Sequence, residues 1–160
     1  MSGSTGGGTP RGRSFDLTGF FPYRLAVLAD RVSQAVAQVY ADRFDLSRAE
    51  WRIVVALGAN GEMAASEIGH YSTLDKMQVS RAVARLAEAG LLRRVEDADD
   101  RRSKRLSLTP AGAALLAKIT PLVVARETYL LEALTVEERN TLDRALDIIL
   151  TRAETLVSRG

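Results

Sequence analysis

The sequence predicts a mainly α-helical chain that carries one small β-hairpin, and three observations lead there. Apolar residues recur in alternating steps of three and four along most of its 160 residues, the spacing of helices with one buried face. Only one pair of short segments, residues 91–95 and 105–108, reads as strands, set on either side of a polar loop. Helix-start signatures at Ser47 with Glu50 and at Thr135 with Glu138, and a stop at Gly90, punctuate the periodic stretches.

Taken in order, residues 1–14 (MSGSTGGGTPRGRS) lack apolar periodicity and are expected to form a flexible tail. Their Gly6-Gly7-Gly8 run has no strand before it and no Gly-Lys-Ser/Thr after it, so it is not a phosphate loop. From Pro22 to about Arg43, Leu25, Leu28, Val32, Ala35 and Val39 mark a helix with a seam-like apolar face. Ser47 and Glu50 form a capping box, the hydroxyl taking the Glu50 amide and the carboxylate reaching back. The helix they open runs through Trp51, Val54, Val55 and Leu57 and ends in Gly58-Ala-Asn-Gly61.

A short helix over 64–71, a break at Ser72-Thr73 and a longer helix over 74–89 give the outline of a helix-turn-helix. Gly90 stands in the usual C-terminal glycine position, and the hairpin follows at once. Thr109-Pro110 caps a long helix to about Leu134, which Pro121 is expected to kink. Leu142, Leu146, Ile149, Ala153 and Leu156 stripe the last helix. The first and the last two helices carry more apolar surface than the small central unit can bury, and intertwined dimerisation is the economical explanation. The division is therefore 15–45 and 110–160 as a helical dimerisation region around a central domain over 46–109.

Composition narrows the chemistry. There is no cysteine, which excludes a disulfide framework, a Cys-based zinc site and a thiol redox sensor, and the single histidine, His70, has no second one to pair with. No catalytic constellation or cofactor motif is present, so neither enzyme activity nor a cofactor is expected. No apolar run approaches the roughly 20 residues of a membrane span and no signal peptide is recognisable, so the chain is expected to be soluble and cytoplasmic. Formal net charge is only +2, but 19 of the 22 basic residues are arginine, the side chain suited to bidentate contact with phosphate or guanine. A GC-rich genome produces the same bias, so position matters more than number.

Position is informative on the helix after Thr73. At 100° per residue Val79, Ala82, Val83 and Leu86 share one side. Opposite them fall Thr73, Met77, Ser80, Arg81 and Ala84, flanked by Lys76, Gln78 and Arg85, with no carboxylate on the outermost line. Such a face suits a DNA major groove, because phosphates repel acidic side chains while Arg, Gln and Ser can read base edges. The hairpin adds Arg93, Arg94, Arg101, Arg102, Lys104 and Arg105 within 13 residues, a wing able to reach a neighbouring minor groove. Its acidic residues Asp97, Asp99 and Asp100 read as a salt-bridged loop rather than a cation site, because arginines adjoin them.

With those residues in view, the chain resembles the MarR family of winged helix-turn-helix transcriptional regulators. Asp100, Arg102, Leu108, Thr109 and Gly112 match the family's wing signature, and residues 75–83 with Leu86, Gly90, Leu91 and Arg94 are similar to its recognition helix and exit. The resemblance covers about residues 15–157. It implies a homodimeric, sequence-specific DNA-binding repressor acting on a pseudo-palindromic duplex and released by a small ligand, an aromatic acid or its thioester. It also implies Arg102 as the minor-groove arginine, Asp100 as the carboxylate that orients a neighbouring arginine, and Gln78, Ser80 and Arg81 as contacts to bases or phosphates. Thr73, Lys76, Met77, Arg85, Arg101 and Lys104 complete the expected DNA face. Phe20, Phe21, Tyr23, Arg24 and Trp51 either line the ligand pocket, with Arg24 as carboxylate partner, or serve as core. Gly69 departs from the family's usual alanine and is expected to loosen the first helix of the motif. The competing reading is a winged module that docks a protein and no longer binds DNA.

Overall fold

In the computed structural model, residues 16–96 and 104–159 are described. The expected tail and the wing-tip residues Asp97, Asp99, Asp100, Arg101 and Arg102 lie outside them. Contacts divide the chain into two units, 1–34 and 35–160, each taken here by itself.

In the first unit, Asp16 Oδ1 accepts from the Thr18 amide (3.1 Å) and hydroxyl (2.7 Å), closing a turn just ahead of α1 (Phe21–Phe44). The hydroxyl and the Gly19 amide together hold the Asp16 carboxyl below its ordinary range. The seam residues Leu25, Leu28 and Val32 are exposed in this single chain.

The second unit holds the end of α1 and then α2 (Arg48–Asn60), β1 (Met63–Ala64), α3 (Ala65–Ser72), α4 (Lys76–Glu88), β2 (Leu92–Glu96), β3 (Lys104–Leu108), α5 (Pro110–Leu131) and α6 (Val136–Arg159). Its core is where α2, α3 and α4 meet: Ile53, Val54 and Leu57 face Ile68 and the Val79, Ala82, Val83 and Leu86 stripe, with Leu92, Leu106 and Ile119 closing the sides. Burying such side chains stabilises the fold by about 1.5–3 kcal/mol each. The expected inward side of the helix after Thr73 is thus the buried one.

Boundaries differ from expectation for local reasons. α4 begins at Lys76 rather than Leu74 because Asp75 is its cap: Asp75 Oδ1 accepts from the Gln78 amide (2.8 Å), and Gln78 Oε1 accepts from the Asp75 amide (3.0 Å). Ser72 belongs to α3, and the break shifts and lengthens to Thr73, Leu74 and Asp75. α5 stops at Leu131, short of Leu134, and Pro121 lies inside it without interrupting it. Both expected capping boxes, Ser47 with Glu50 and Thr135 with Glu138, form.

The hairpin gains a strand. β3 is central in a three-stranded antiparallel sheet of order β1-β3-β2, with Met63 opposite Leu106 on one edge and Arg94 opposite Leu106 on the other. Two residues are too few to show a period, which hides β1 in the sequence. Gly69 also has a steric role. α3 runs through it unbroken, and a β-carbon there would press the Leu74 carbonyl at 3.2 Å, so glycine permits the close turn between α3 and α4. Gly112 has a similar role at the start of α5, where any side chain would overlap the Leu91 carbonyl.

Candidate nucleic-acid interface

The exposed side of α4 forms the middle of the candidate interface. Met77 is 60% exposed, and Lys76, Gln78, Ser80, Arg81 and Ala84 are also exposed, with no carboxylate between Lys76 and Ala87. Four buried side chains hold the opposite side, so this face is fixed in direction by packing. At its entry Thr73 adopts a left-handed conformation (φ 56°, ψ 34°), its amide donating back to the last turn of α3. A β-branched residue rarely adopts φ > 0, and here its hydroxyl has a partner: Arg52 of α2 donates to Thr73 Oγ1 (3.2 Å) and to the Ser72 carbonyl (3.4 Å).

Beside α4 an open cleft of about 830 Å³ runs between α3 and the sheet. Ser66, His70, Lys76, Ser80 and Arg94 supply its polar lining over Val79 and Leu106. His70 is in the last turn of α3 and contributes to this cleft. Ser66 and His70 stood outside the expected DNA face and Arg94 was counted with the wing; the packing of α3 and α4 against the sheet brings the three to one cleft.

The sheet is anchored by arginines of its own. Arg93 Nε donates to Ser107 Oγ across the β2–β3 pair (3.1 Å). Arg105 donates to the Glu62 carbonyl (2.6 Å) and to Glu67 (3.3 Å), tying β3 to the start of α3. Arg105 is thus occupied by the fold. Lys104 opens β3 opposite Glu96, and Asp100, Arg101 and Arg102 fall in the span beyond the described residues. At the base, Thr109 donates to the Gly90 carbonyl (2.6 Å) and accepts from the Gly112 amide (3.1 Å), so one side chain ties the end of α4 to the start of α5.

Two expected DNA residues have other engagements. Gln78 uses its side-chain oxygen in the α4 cap, leaving the NH₂ group as the available donor. Arg85 faces away from the α4 entry: its Nε lies 3.3 Å from Glu50 Oε1 and its Nη2 3.4 Å from Asp45 Oδ2. Glu50 is only 3% exposed, so Arg85 is the counter-ion of a buried carboxylate.

The aromatic residues separate in the same way. Trp51 stacks on Tyr40 within the second unit, with centroids 5.1 Å apart and planes at 21°. Burial raises the Tyr40 hydroxyl pKa against the opposing pull of Arg48 and Arg52, so that ring stays neutral. In the first unit Phe20 and Tyr23 are 43% and 41% exposed. Among the described residues no cluster of His, Asp and Glu has the makings of a metal site, and no helix is long and apolar enough to cross a membrane.

Residues 46–112 match a family described as a winged helix DNA-binding domain. The chain is 32% identical over 126 residues to the HTH-type transcriptional regulator PecS of Dickeya dadantii (strain 3937), covering 77% of this chain and 73% of that protein. It is 27% identical over 139 residues to the HTH-type transcriptional repressor IacR of Pseudomonas putida, covering 85% and 81%. A MarR family transcriptional regulator from Silicibacter pomeroyi superposes with a TM-score of 0.73 at 28% identity, over 86% of this chain and 92% of that one.

Proposed function

Because the chain belongs to the MarR family of winged helix-turn-helix transcriptional regulators, and is a DNA-binding regulator of that type, we propose that it is a homodimeric repressor released by a small ligand. The observation that carries this reading is the exposed, carboxylate-free face of α4, held outward by its buried stripe and flanked by an arginine-bearing hairpin. In this reading Thr73, Lys76, Met77, Gln78, Ser80 and Arg81 meet the major groove. Arg101, Arg102 and Lys104 serve the wing, with Asp100 as the orienting carboxylate. Residues 46–109 are the DNA-binding domain, and 15–45 with 110–160 form the dimer. Two-fold symmetry then sets half-sites of a pseudo-palindrome about one helical turn apart, roughly 34–36 Å.

Phosphate neutralisation makes the salt dependence the decisive test. Log affinity for an operator duplex should fall linearly with log salt, with a slope of about 0.9 per phosphate engaged. An affinity that does not respond to salt would end the DNA reading.

The ligand class we assign is an aromatic acid or its thioester, with Phe20, Tyr23, Arg24 and Trp51 as the candidate contacts. Trp51 is the only tryptophan, so fluorescence excited at wavelengths that the four tyrosines do not absorb reports on its surroundings. Titration with a panel of aromatic acids should shift that emission and lower operator affinity together. A ligand that lowers affinity without altering the emission places its site away from Trp51.

A further inference from the structure

Three consecutive residues of α2 reach three different elements. Glu50 meets Arg85 in the second half of α4, Trp51 stacks on Tyr40 of α1, and Arg52 holds Ser72 and Thr73 at the entry to α4. The recognition helix is thus gripped at both ends from a single turn of α2. Apolar packing of Val79, Ala82, Val83 and Leu86 against the core sets which side of α4 faces out, but packing alone permits small rotation and sliding. Polar contacts to fixed groups, one at Arg85 within α4 and one at the Thr73 turn that leads into it, restrict that freedom.

The geometry points to Glu50 and Arg52 as positioning residues for DNA recognition, acting through Arg85 and Thr73 respectively; this rests on the reading that α4 enters the major groove. Glu50 is suited to the task because its two oxygens have separate work. Oε2 accepts from the Ser47 amide at 2.8 Å, which fixes the carboxylate to the start of α2, while Oε1 faces Arg85. Of the two carboxylates beside Arg85, Glu50 is the buried one with a fixed position while Asp45 is 97% exposed; Arg85 itself is 61% exposed, so water still screens the arginine side of the pair. Arg52 has a comparable grip on a residue that is itself constrained, since Thr73 sits at φ 56°.

Alignment matters most for contacts to base edges, which demand hydrogen-bond geometry, and least for contacts to phosphates, which tolerate displacement. Loss of either positioning residue should therefore lower sequence discrimination more than total binding. Had Arg85 or Arg52 touched phosphate directly, its removal would reduce the salt slope by about 0.9 instead.

The experiment uses the full chain and a duplex enriched by the native protein from a random-sequence pool, with a shuffled duplex as reference. Arg52→Gln, Glu50→Gln, Arg85→Gln and the Glu50→Gln/Arg85→Gln double variant are compared across salt concentrations, well below each melting temperature. Each single change should weaken binding to the enriched duplex about tenfold, the size of one lost charge-assisted hydrogen bond, with little change on the shuffled duplex and an unaltered salt slope. The double variant should lose no more than either single one, because both remove one coupling. Arg52→Lys, which keeps a donor for Thr73 Oγ1, should recover part of the loss; if Arg52→Gln does not fold, the Glu50 and Arg85 set decides. Native discrimination in the variants, or a reduced salt slope, overturns the assignment. Failure of the native protein to enrich any duplex overturns the DNA-binding reading, and this one with it.

Discussion

α4 and α6 are written in the same code and end in opposite situations. Each carries apolar residues at steps of three and four. In α4 the stripe Val79, Ala82, Val83 and Leu86 is wholly buried, whereas α6 buries no residue along its 24, with Leu146 47% and Ile149 39% exposed. The difference teaches that periodicity announces a face in need of cover and says nothing of where the cover comes from. For α4 it comes from the same chain, through α2 and α3. For α6 the proposed homodimer supplies it.

That contrast can be broken at four points. The largest effect should come from the satisfied stripe: Leu86→Ala removes a side chain 1% exposed and should cost about 4 kcal/mol, read as a drop in thermal or denaturant midpoint. A loss below about 1 kcal/mol would mean the α4 contacts are not the core. The unsatisfied stripe should respond in assembly rather than in fold. Leu146→Glu with Ile149→Glu should weaken self-association by about 3 kcal/mol, roughly a hundredfold, and sedimentation should find half the native mass with the winged domain still folded. Unchanged mass would place the dimer interface elsewhere.

On the outward side of α4, Arg81→Ala should lower operator affinity by about 2 kcal/mol, close to thirtyfold, more on the preferred sequence than on others, as measured by fluorescence anisotropy. Arg102→Ala at the wing should have the smallest effect, about fivefold and nearly independent of sequence. If neither changes binding, the docking face is not the one described.

How much was legible depended on how far apart the interacting groups lie. Caps were readable at Ser47 and Thr135 because donor and acceptor are three residues apart, and the inward face of α4 was readable because a helix repeats its own geometry. The Asp75 cap has equally short range, but apolar Leu74 continues the helical pattern, and counting it in starts α4 two residues early. β1 escaped because two residues have no period, and its pairing with Leu106 is a long-range fact. The engagement of Arg85 escaped for the same reason: 35 residues of chain separate it from Glu50, and an arginine on a polar face looks identical whether it awaits phosphate or holds a buried carboxylate. The steric side of Gly69 escaped because helix propensity counts what glycine lacks, while the space it leaves at the α3–α4 turn depends on the Leu74 carbonyl of the folded chain.

The two-residue strand β1 also sets a timetable. Its partner is not the next segment made but β3, more than 40 residues later, with α3, α4 and β2 synthesised in between. While the chain is being made, Met63 therefore waits beside a growing α3 without its ladder until Leu106 is available. The helix-turn-helix can form early from local contacts, but its sheet cannot close before β3 is available. A chain that ends before residue 104 lacks Arg105, and with it the latch to Glu62 and Glu67 that ties the sheet to the start of α3.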